Sequence, residues 1–206
     1  MFVTFEGVDG SGKTTIMEAL ACELRAQGHK VCATREPGGS ALGKSLRELL
    51  LHTETKITKR AELLLFLADR AEHVATVIKP ALAAGQVVLC DRYIDSTLCY
   101  QGYGRGLELN ELRFLNSVAT ANLFPDLTLV LDVPIEIGLK RALSRADSSN
   151  TCRFEQEALQ FHAKVRQGYL EEAAISPRFR VVDASQAFSQ VLASCRAHLL
   201  SHLASC

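Results

Sequence analysis

The sequence has no excess of either charge, no Cys-x-x-Cys pair and no apolar run of membrane-spanning length, and each absence removes a class of function. Its 23 Lys and Arg are matched by 23 Asp and Glu, for a formal net charge of zero. A protein that grips DNA or RNA carries a basic excess, so the balance argues against a nucleic-acid partner. A small phosphorylated ligand needs only a local cluster of cations and stays possible. The seven cysteines, Cys22, Cys32, Cys90, Cys99, Cys152, Cys195 and Cys206, are odd in number, and none is spaced for zinc. In a chain that is 48% hydrophobic they read as reduced thiols in a cytosol-like compartment. The start, Met1 to Glu6, has neither the basic residues nor the long apolar stretch of a signal peptide. No run approaches the ~20 residues of a membrane helix. The expectation is a cytoplasmic protein without a membrane partner. No internal repeat or low-complexity linker divides the 206 residues, so a single domain, 1–206, is expected.

Five short apolar runs read as buried strands: Phe2 to Glu6, Lys30 to Thr34, Gln86 to Cys90, Thr128 to Asp132 and Phe179 to Val182. Helical patterns lie between them: Thr14 to Gln27, closed by Gly28, then Ala61 to Ala84 with Pro80 as a kink or break. Asn110 to Asn122, Ile135 to Arg145, Glu155 to Ala174 and Ala187 to Leu203 follow. Strands alternating with helices predict an α/β fold, a five-stranded parallel sheet covered on both faces.

The run Gly7-Val8-Asp9-Gly10-Ser11-Gly12-Lys13-Thr14 fits the P-loop pattern, between an expected strand and an expected helix. Its glycines let the backbone wrap phosphates with amides pointing inward, and the helix N-terminus adds positive potential. Lys13 would reach the outer phosphates of a nucleoside triphosphate, and the Thr14 hydroxyl would hold Mg2+. No Asn-Lys-x-Asp element for guanine is present. Asp91 ends an apolar strand and resembles a Walker B acid, with water or Mg2+ as its partner. Arg35-Glu36-Pro37-Gly38-Gly39 and Asp91-Arg92-Tyr93 directly follow the second and third expected strands. Ligands bind outside the C-terminal ends of parallel strands, so these arginines and the P-loop converge on one crevice. There they would screen two polyanions brought within bonding distance. Phe66 and Arg70, four apart, share one helix face; by its apolar run alone Phe66 also fits a core position.

Together these elements resemble the thymidylate kinases of the bacterial type. The match rests on Gly7 to Thr15, Thr34-Arg35-Glu36-Pro37-Gly38-Gly39, Leu65-Phe66-x-x-x-Arg70, Asp91-Arg92-Tyr93, Ser96 through Gln101, Leu131-Asp132-Val133 and Arg153-x-Glu155. It spans most of the chain. The resemblance implies a P-loop nucleoside monophosphate kinase-like three-layer fold. It implies transfer of the ATP γ-phosphoryl group to dTMP, with Mg2+, in a homodimer. It implies that Arg92 clamps the acceptor phosphate with help from Arg35, and that Glu36 and Pro37 belong to the dTMP site. Phe66 would stack on thymine, Arg70 would bond its edge, and Ser96, Thr97 and Gln101 would help hold and read the nucleotide. Tyr100 would crowd the ribose 2′ position, and Asp9 would order the sugar and phosphate end. Thr15 would join the ATP loop.

One branch of the family carries an arginine inside the phosphate loop, where this chain has Gly10. The resemblance then places the missing charge in the polar segment Arg145 to Arg153, part of a lid around 141–155. Arg141, Arg145 and Arg153 are the candidates on the ATP side, with Arg153 as the catalytic choice and Glu155 assisting the metal or holding the lid. Composition alone favours a surface loop; the position after the fourth strand, with arginines at both ends, points to the lid. Two other functions fit the P-loop: a kinase acting on a different nucleotide or nucleoside, and a non-catalytic ATP-sensing module. Phe66, Arg70, Tyr100 and Gln101 speak against the first; Lys13, Thr14, Asp91 and Arg92 together speak against the second.

Overall fold

The computed structural model describes residues 1–52, 56–144, 154 and 157–204. Five strands, β1 (Phe2–Glu6), β2 (Val31–Arg35), β3 (Val87–Asp91), β4 (Leu127–Asp132) and β5 (Phe179–Asp183), form one parallel sheet in the order β2-β3-β1-β4-β5. Phe5 lies opposite Asp91 on one side and Leu129 on the other, and Arg35 lies opposite Asp91. β1 and β3 are buried throughout because helices cover both faces, whereas β2 and β5 at the edges are partly open. The expected α/β architecture is therefore present. β2 and β3 each run one residue later than expected, so Arg35 and Asp91 are the last residues of their strands rather than the first of the loops.

Helix α1 (Lys13–Ala26) buries Ile16, Met17, Leu20, Ala21 and Leu24 on one stripe against the sheet. It stops at Gly28, whose φ of 90° lets His29 N–H return to the Leu24 carbonyl at 3.0 Å. A second helix, α2 (Ala41–His52), was not foreseen, although Leu42, Leu46, Leu49 and Leu50 carry a helical spacing. The expected long helix over Ala61 to Ala84 is instead three pieces. α3 (Lys59–His73) passes into a π-helical turn over Val74–Ile78, then α4 (Lys79–Ala83). The π-helical turn lies just before Pro80, which has no N–H to return to a carbonyl of the preceding turn.

After β3 comes a short α5 (Ile94–Thr97) and a second π-helical stretch, Leu98–Gly104. Then follow α6 (Leu109–Thr120), α7 (Ile135–Leu143), α8 (Leu159–Ile175) and α9 (Phe188–Leu203). α8 packs on the π-helical stretch and on β5. α6 begins where Glu108 accepts from Glu111 N–H at 2.7 Å and ends on Ala121 and Asn122, both with positive φ.

Candidate active site

The loop between β1 and α1 turns at Gly7, Gly10 and Gly12, with φ of 137°, 74° and 92°. Such turns aim successive amides into one concavity. α1 has no side-chain cap and no acid in its first turn, so its N-terminal amides and dipole also face the loop. Lys13 is buried, and its Nζ donates to the carbonyls of Gly7 (3.1 Å) and Val8 (2.8 Å). Burial first, then the Arg92 charge, pushes its pKa down to about 8 against the pull of Asp91 and Asp9. The Thr14 hydroxyl donates to the Asp91 carboxylate at the end of β3. Thr15 is exposed.

Position 10 has a steric reason to be glycine. A Cβ there would lie 1.9 Å from the Gly138 carbonyl oxygen, because α7 seats its backbone on the loop at that point. An arginine cannot be built at position 10 with α7 in place.

Arg92 follows β3 with φ 72°, the left-handed region that a residue with a Cβ occupies at a cost of roughly 1 kcal/mol. Its guanidinium is anchored from both ends. Nη1 donates to the Gly7 carbonyl (3.0 Å), Ser96 Oγ (3.2 Å) and Tyr169 OH (3.2 Å); Nη2 donates to Asp9 Oδ1 (2.6 Å) and Tyr100 OH (3.0 Å). Tyr100 OH in turn donates to Asp9 Oδ2 at 2.8 Å. Burial raises the Asp9 carboxyl, but Arg92, Lys13 and the Tyr100 hydroxyl outweigh it and hold its pKa below the usual range. Behind this cluster lies Glu6, fully buried. It accepts from Tyr93 N–H (2.7 Å), Ser96 Oγ (2.7 Å) and Tyr169 OH (2.9 Å). Burial, with Asp95 second, pushes Glu6 up to about 7.

Beside Arg92 opens a cavity of about 370 Å³. Asp9, Arg92, Ser96 and Tyr100 line the end nearest the P-loop; Glu36, Pro37, Phe66, Arg70, Thr97 and Gln101 line the rest. Phe66 packs its inner edge on the main core but is only half-buried. Arg70 is 1% exposed. Its Nε donates to Glu36 Oε2 (2.8 Å), Nη1 to Thr97 Oγ1 (2.6 Å) and Asn116 Oδ1 (2.7 Å), and Nη2 to the Tyr93 carbonyl (2.9 Å). A guanidinium has five N–H groups, so these four bonds leave one Nη2 hydrogen over, on a residue that lines the cavity. Glu36 also pairs with His73 Nδ1 at 2.9 Å, and the Glu36–Pro37 peptide is cis.

Most residues foreseen on the acceptor side thus meet in one cavity. Arg35 does not line it; the residue is exposed at the end of β2. The expected lid range opens inside α7, where Arg141 Nη1 donates to the Ala184 carbonyl at 2.9 Å. Arg145, Arg153 and Glu155 lie outside the described residues. Residues that sequence reasoning missed include Arg47, Leu51 and Phe154 in the lining, and Glu6, Asn116 and Tyr169 behind it. Glu6 had one signal, an acid closing an otherwise apolar strand. Tyr169 had none, since its partner is 163 positions away.

Comparison with known proteins agrees with this geometry. The thymidylate kinase family model matches residues 5–195. The thymidylate kinase of Desulfovibrio desulfuricans is 54% identical over 98% of this chain and 96% of its own length. That of Solidesulfovibrio magneticus is 58% identical over 90% of this chain and 91% of its own. The solved thymidylate kinase of Ehrlichia chaffeensis superposes with a TM-score of 0.77 at 35% identity, covering 97% of this chain and 98% of that one. With its cradle, cavity and sheet order accounted for, this chain belongs to the thymidylate kinase family.

Proposed function

We propose that the cavity beside the P-loop seats dTMP with its base against Phe66 and its phosphate at Arg92, and that the P-loop holds ATP. The family reaction moves the γ-phosphoryl group of ATP to dTMP, giving dTDP and ADP on the way to dTTP. An acceptor phosphate oxygen forms the new P–O bond, and the bond between the γ-phosphorus and the β,γ-bridging oxygen breaks. The acceptor is already anionic, so no strong base is required. Catalysis is positioning plus charge stabilisation. Lys13 and the loop amides bind the outer phosphates. Arg92 draws the acceptor phosphate in, and Asp9 keeps its guanidinium turned toward the cradle. Tyr100 sits at the sugar, and the free Nη2 hydrogen of Arg70 meets the base edge. Arg141, Arg145 and Arg153, with Arg153 as catalytic choice, and Arg35 at the rim complete the charge in this proposal. The residues around 141–155 act as a lid within a single domain.

Mg2+ belongs to the same reading. The Thr14 hydroxyl and the Asp91 carboxylate are adjacent hard oxygen donors. A site with few protein ligands suits an ion that keeps waters and phosphate oxygens around it. Thr14 and Asp91, with Glu155, would hold it, and when bound it neutralises charge across the transferring phosphates. We also propose a homodimer. Its support is an apolar surface on α3 and α6, where Leu64, Phe114 and Val118 are 55%, 66% and 63% exposed; sedimentation velocity tests it. A cytoplasmic location is supported by the free thiols at Cys22, Cys32, Cys90, Cys99 and Cys195. No helix among the described residues is long and apolar enough to cross a membrane.

The observation that carries the dTMP assignment is the cavity itself, with Arg92 and Asp9 at its P-loop end and Phe66, Arg70 and Gln101 along the rest. The test is ADP release from ATP and Mg2+ with dTMP, dUMP, dCMP, dGMP, UMP and ribothymidine monophosphate supplied separately. Turnover concentrated on dTMP is expected. Faster turnover on another acceptor would overturn the base assignments, and none on any would favour an ATP-binding module.

A further inference from the structure

We propose that Glu62, which does not line the cavity, is a positioning residue that sets the hydrogen-bonding face Gln101 shows to the base and so makes the pocket select thymine over cytosine. The inference rests on the reading that the base sits against Phe66 and Gln101.

Glu62 lies in the first turn of α3 and is 1% exposed. Its Oε1 accepts from Gln101 Nε2 at 3.0 Å. Arg105 grips the same carboxylate through Nε at 3.2 Å and Nη2 at 3.3 Å. A carboxylate clasped by a guanidinium offers only lone pairs. The Gln101 amide must therefore turn its NH2 toward Glu62, and its carbonyl oxygen is the end left for the cavity. An acceptor there suits the N3–H of thymine and opposes the lone pair on cytosine N3. Arg70 supplies the complementary half, since a guanidinium has only N–H to show, which suits thymine O4 and opposes the cytosine amino group. Arg105 is itself held in place: Nη1 donates to Glu157 at 2.5 Å, and its guanidinium lies 4.8 Å from the Phe161 ring centroid and 5.4 Å from that of Phe154. The two ends of an amide have nearly the same shape, so packing alone would not choose between them; Glu62 does.

The test is steady-state kinetics of the full chain with dTMP and dCMP. Three variants are compared with wild type: Glu62→Gln, Gln101→Ala, and the exchange Glu62→Gln with Gln101→Glu. Glutamine at position 62 can accept or donate, so the Gln101 amide is released. The ratio of kcat/KM for dTMP over dCMP is then expected to fall by about tenfold or more, through the KM of both nucleotides, with the KM for ATP unchanged. The exchange restores an acceptor-only group at position 101 and is expected to return the ratio toward wild type. It also serves as the test if the single Glu62 variant does not fold. A wild-type ratio in folded Glu62→Gln, or a lost ratio in the folded exchange, overturns the proposal. Gln101→Ala separates the two levels. An unchanged KM for dTMP means the base is not read at Gln101, and both the seating and the role of Glu62 fall. A raised KM together with a wild-type ratio in Glu62→Gln leaves the seating intact and removes only Glu62.

Discussion

The phosphate cradle is one unbroken run, residues 7–15, whose work is done by backbone amides and two or three side chains. The base pocket next to it is assembled from separated stretches, around Glu36, Phe66, Arg70, Gln101 and Phe154. The charges differ in the same way. At the cradle's edge, the side chains of Arg92 and Asp9 are 17% and 23% exposed and share Tyr100 as a partner. In the pocket wall, the Arg70 and Glu36 side chains are each 2% exposed and locked to one another. Arg92, which must meet an arriving phosphate, keeps water and alternative partners within reach. A cation that shapes a wall for a flat base is fixed during folding. The contrast teaches that damage to the wall should appear mainly as lost stability, and damage to the cradle mainly as lost rate.

The largest effect is expected at the wall. Arg70→Met leaves the Glu36 carboxylate buried beside a neutral side chain, and breaking a buried pair this way costs about 3–5 kcal/mol. Urea unfolding checks it; a loss below about 1 kcal/mol would erase the contrast. Next comes the cradle. Lys13→Ala is expected to lower kcat by about 10²-fold or more, the scale for removing a charge-stabilising donor, while the urea midpoint moves little. A variant with normal kcat would break the cradle half of the comparison. Phe66 sits between the two regimes, packed on the core yet facing the cavity. Phe66→Ala is expected to raise the KM for dTMP by about tenfold, in line with roughly 1–3 kcal/mol for a base stacked on an aromatic ring, and to leave the KM for ATP alone. A loss of stability with no change in that KM would make Phe66 a core residue only.

The smallest effect, read per pH unit, concerns the buried acid behind Arg92. Glu6 is pushed up to about 7 from an ordinary 4.5, by burial first and Asp95 second. Across that window the folded chain holds a proton that the unfolded chain has released, so Glu6 makes stability fall as pH rises from about 4.5 to about 7. The slope is at most about 1.4 kcal/mol per pH unit. Glu6→Gln is expected to flatten it in urea titrations run across that range, and an unchanged slope would place the titration elsewhere.

The same division explains how much could be read in advance. Strand positions were legible within a residue because β1 and β3 are buried on both faces and so are mostly apolar, with their acids Glu6 and Asp91 at the C-terminal ends. Phe66 and Arg70 were legible as neighbours because helical periodicity puts positions four apart on one face. The Ala61 to Ala84 segment reads as one helix because a single five-residue π-helical turn is too short to leave its own period in the sequence. The turn at Leu98–Gly104, which presents Tyr100 and Gln101, is set by the elements packed around it rather than by its own residues.

What the sequence determined by itself is the phosphate cradle and the sheet behind it. A glycine-rich run between an apolar strand and an amphipathic helix can take the positive-φ turns of a phosphate cradle without strain, so the motif and its flanking pattern together announce it. What only the tertiary structure decided is which distant side chains wall the base pocket and how they are turned. The seat of α7 on Gly10, the bonds from Tyr169 to Glu6 and Arg92, and the clasp of Glu62 on Gln101 all join residues from different elements. The first is a steric fit that exists only once two elements meet; the other two are choices between buried donors and acceptors, which exist only once packing has removed the water that would otherwise satisfy either one.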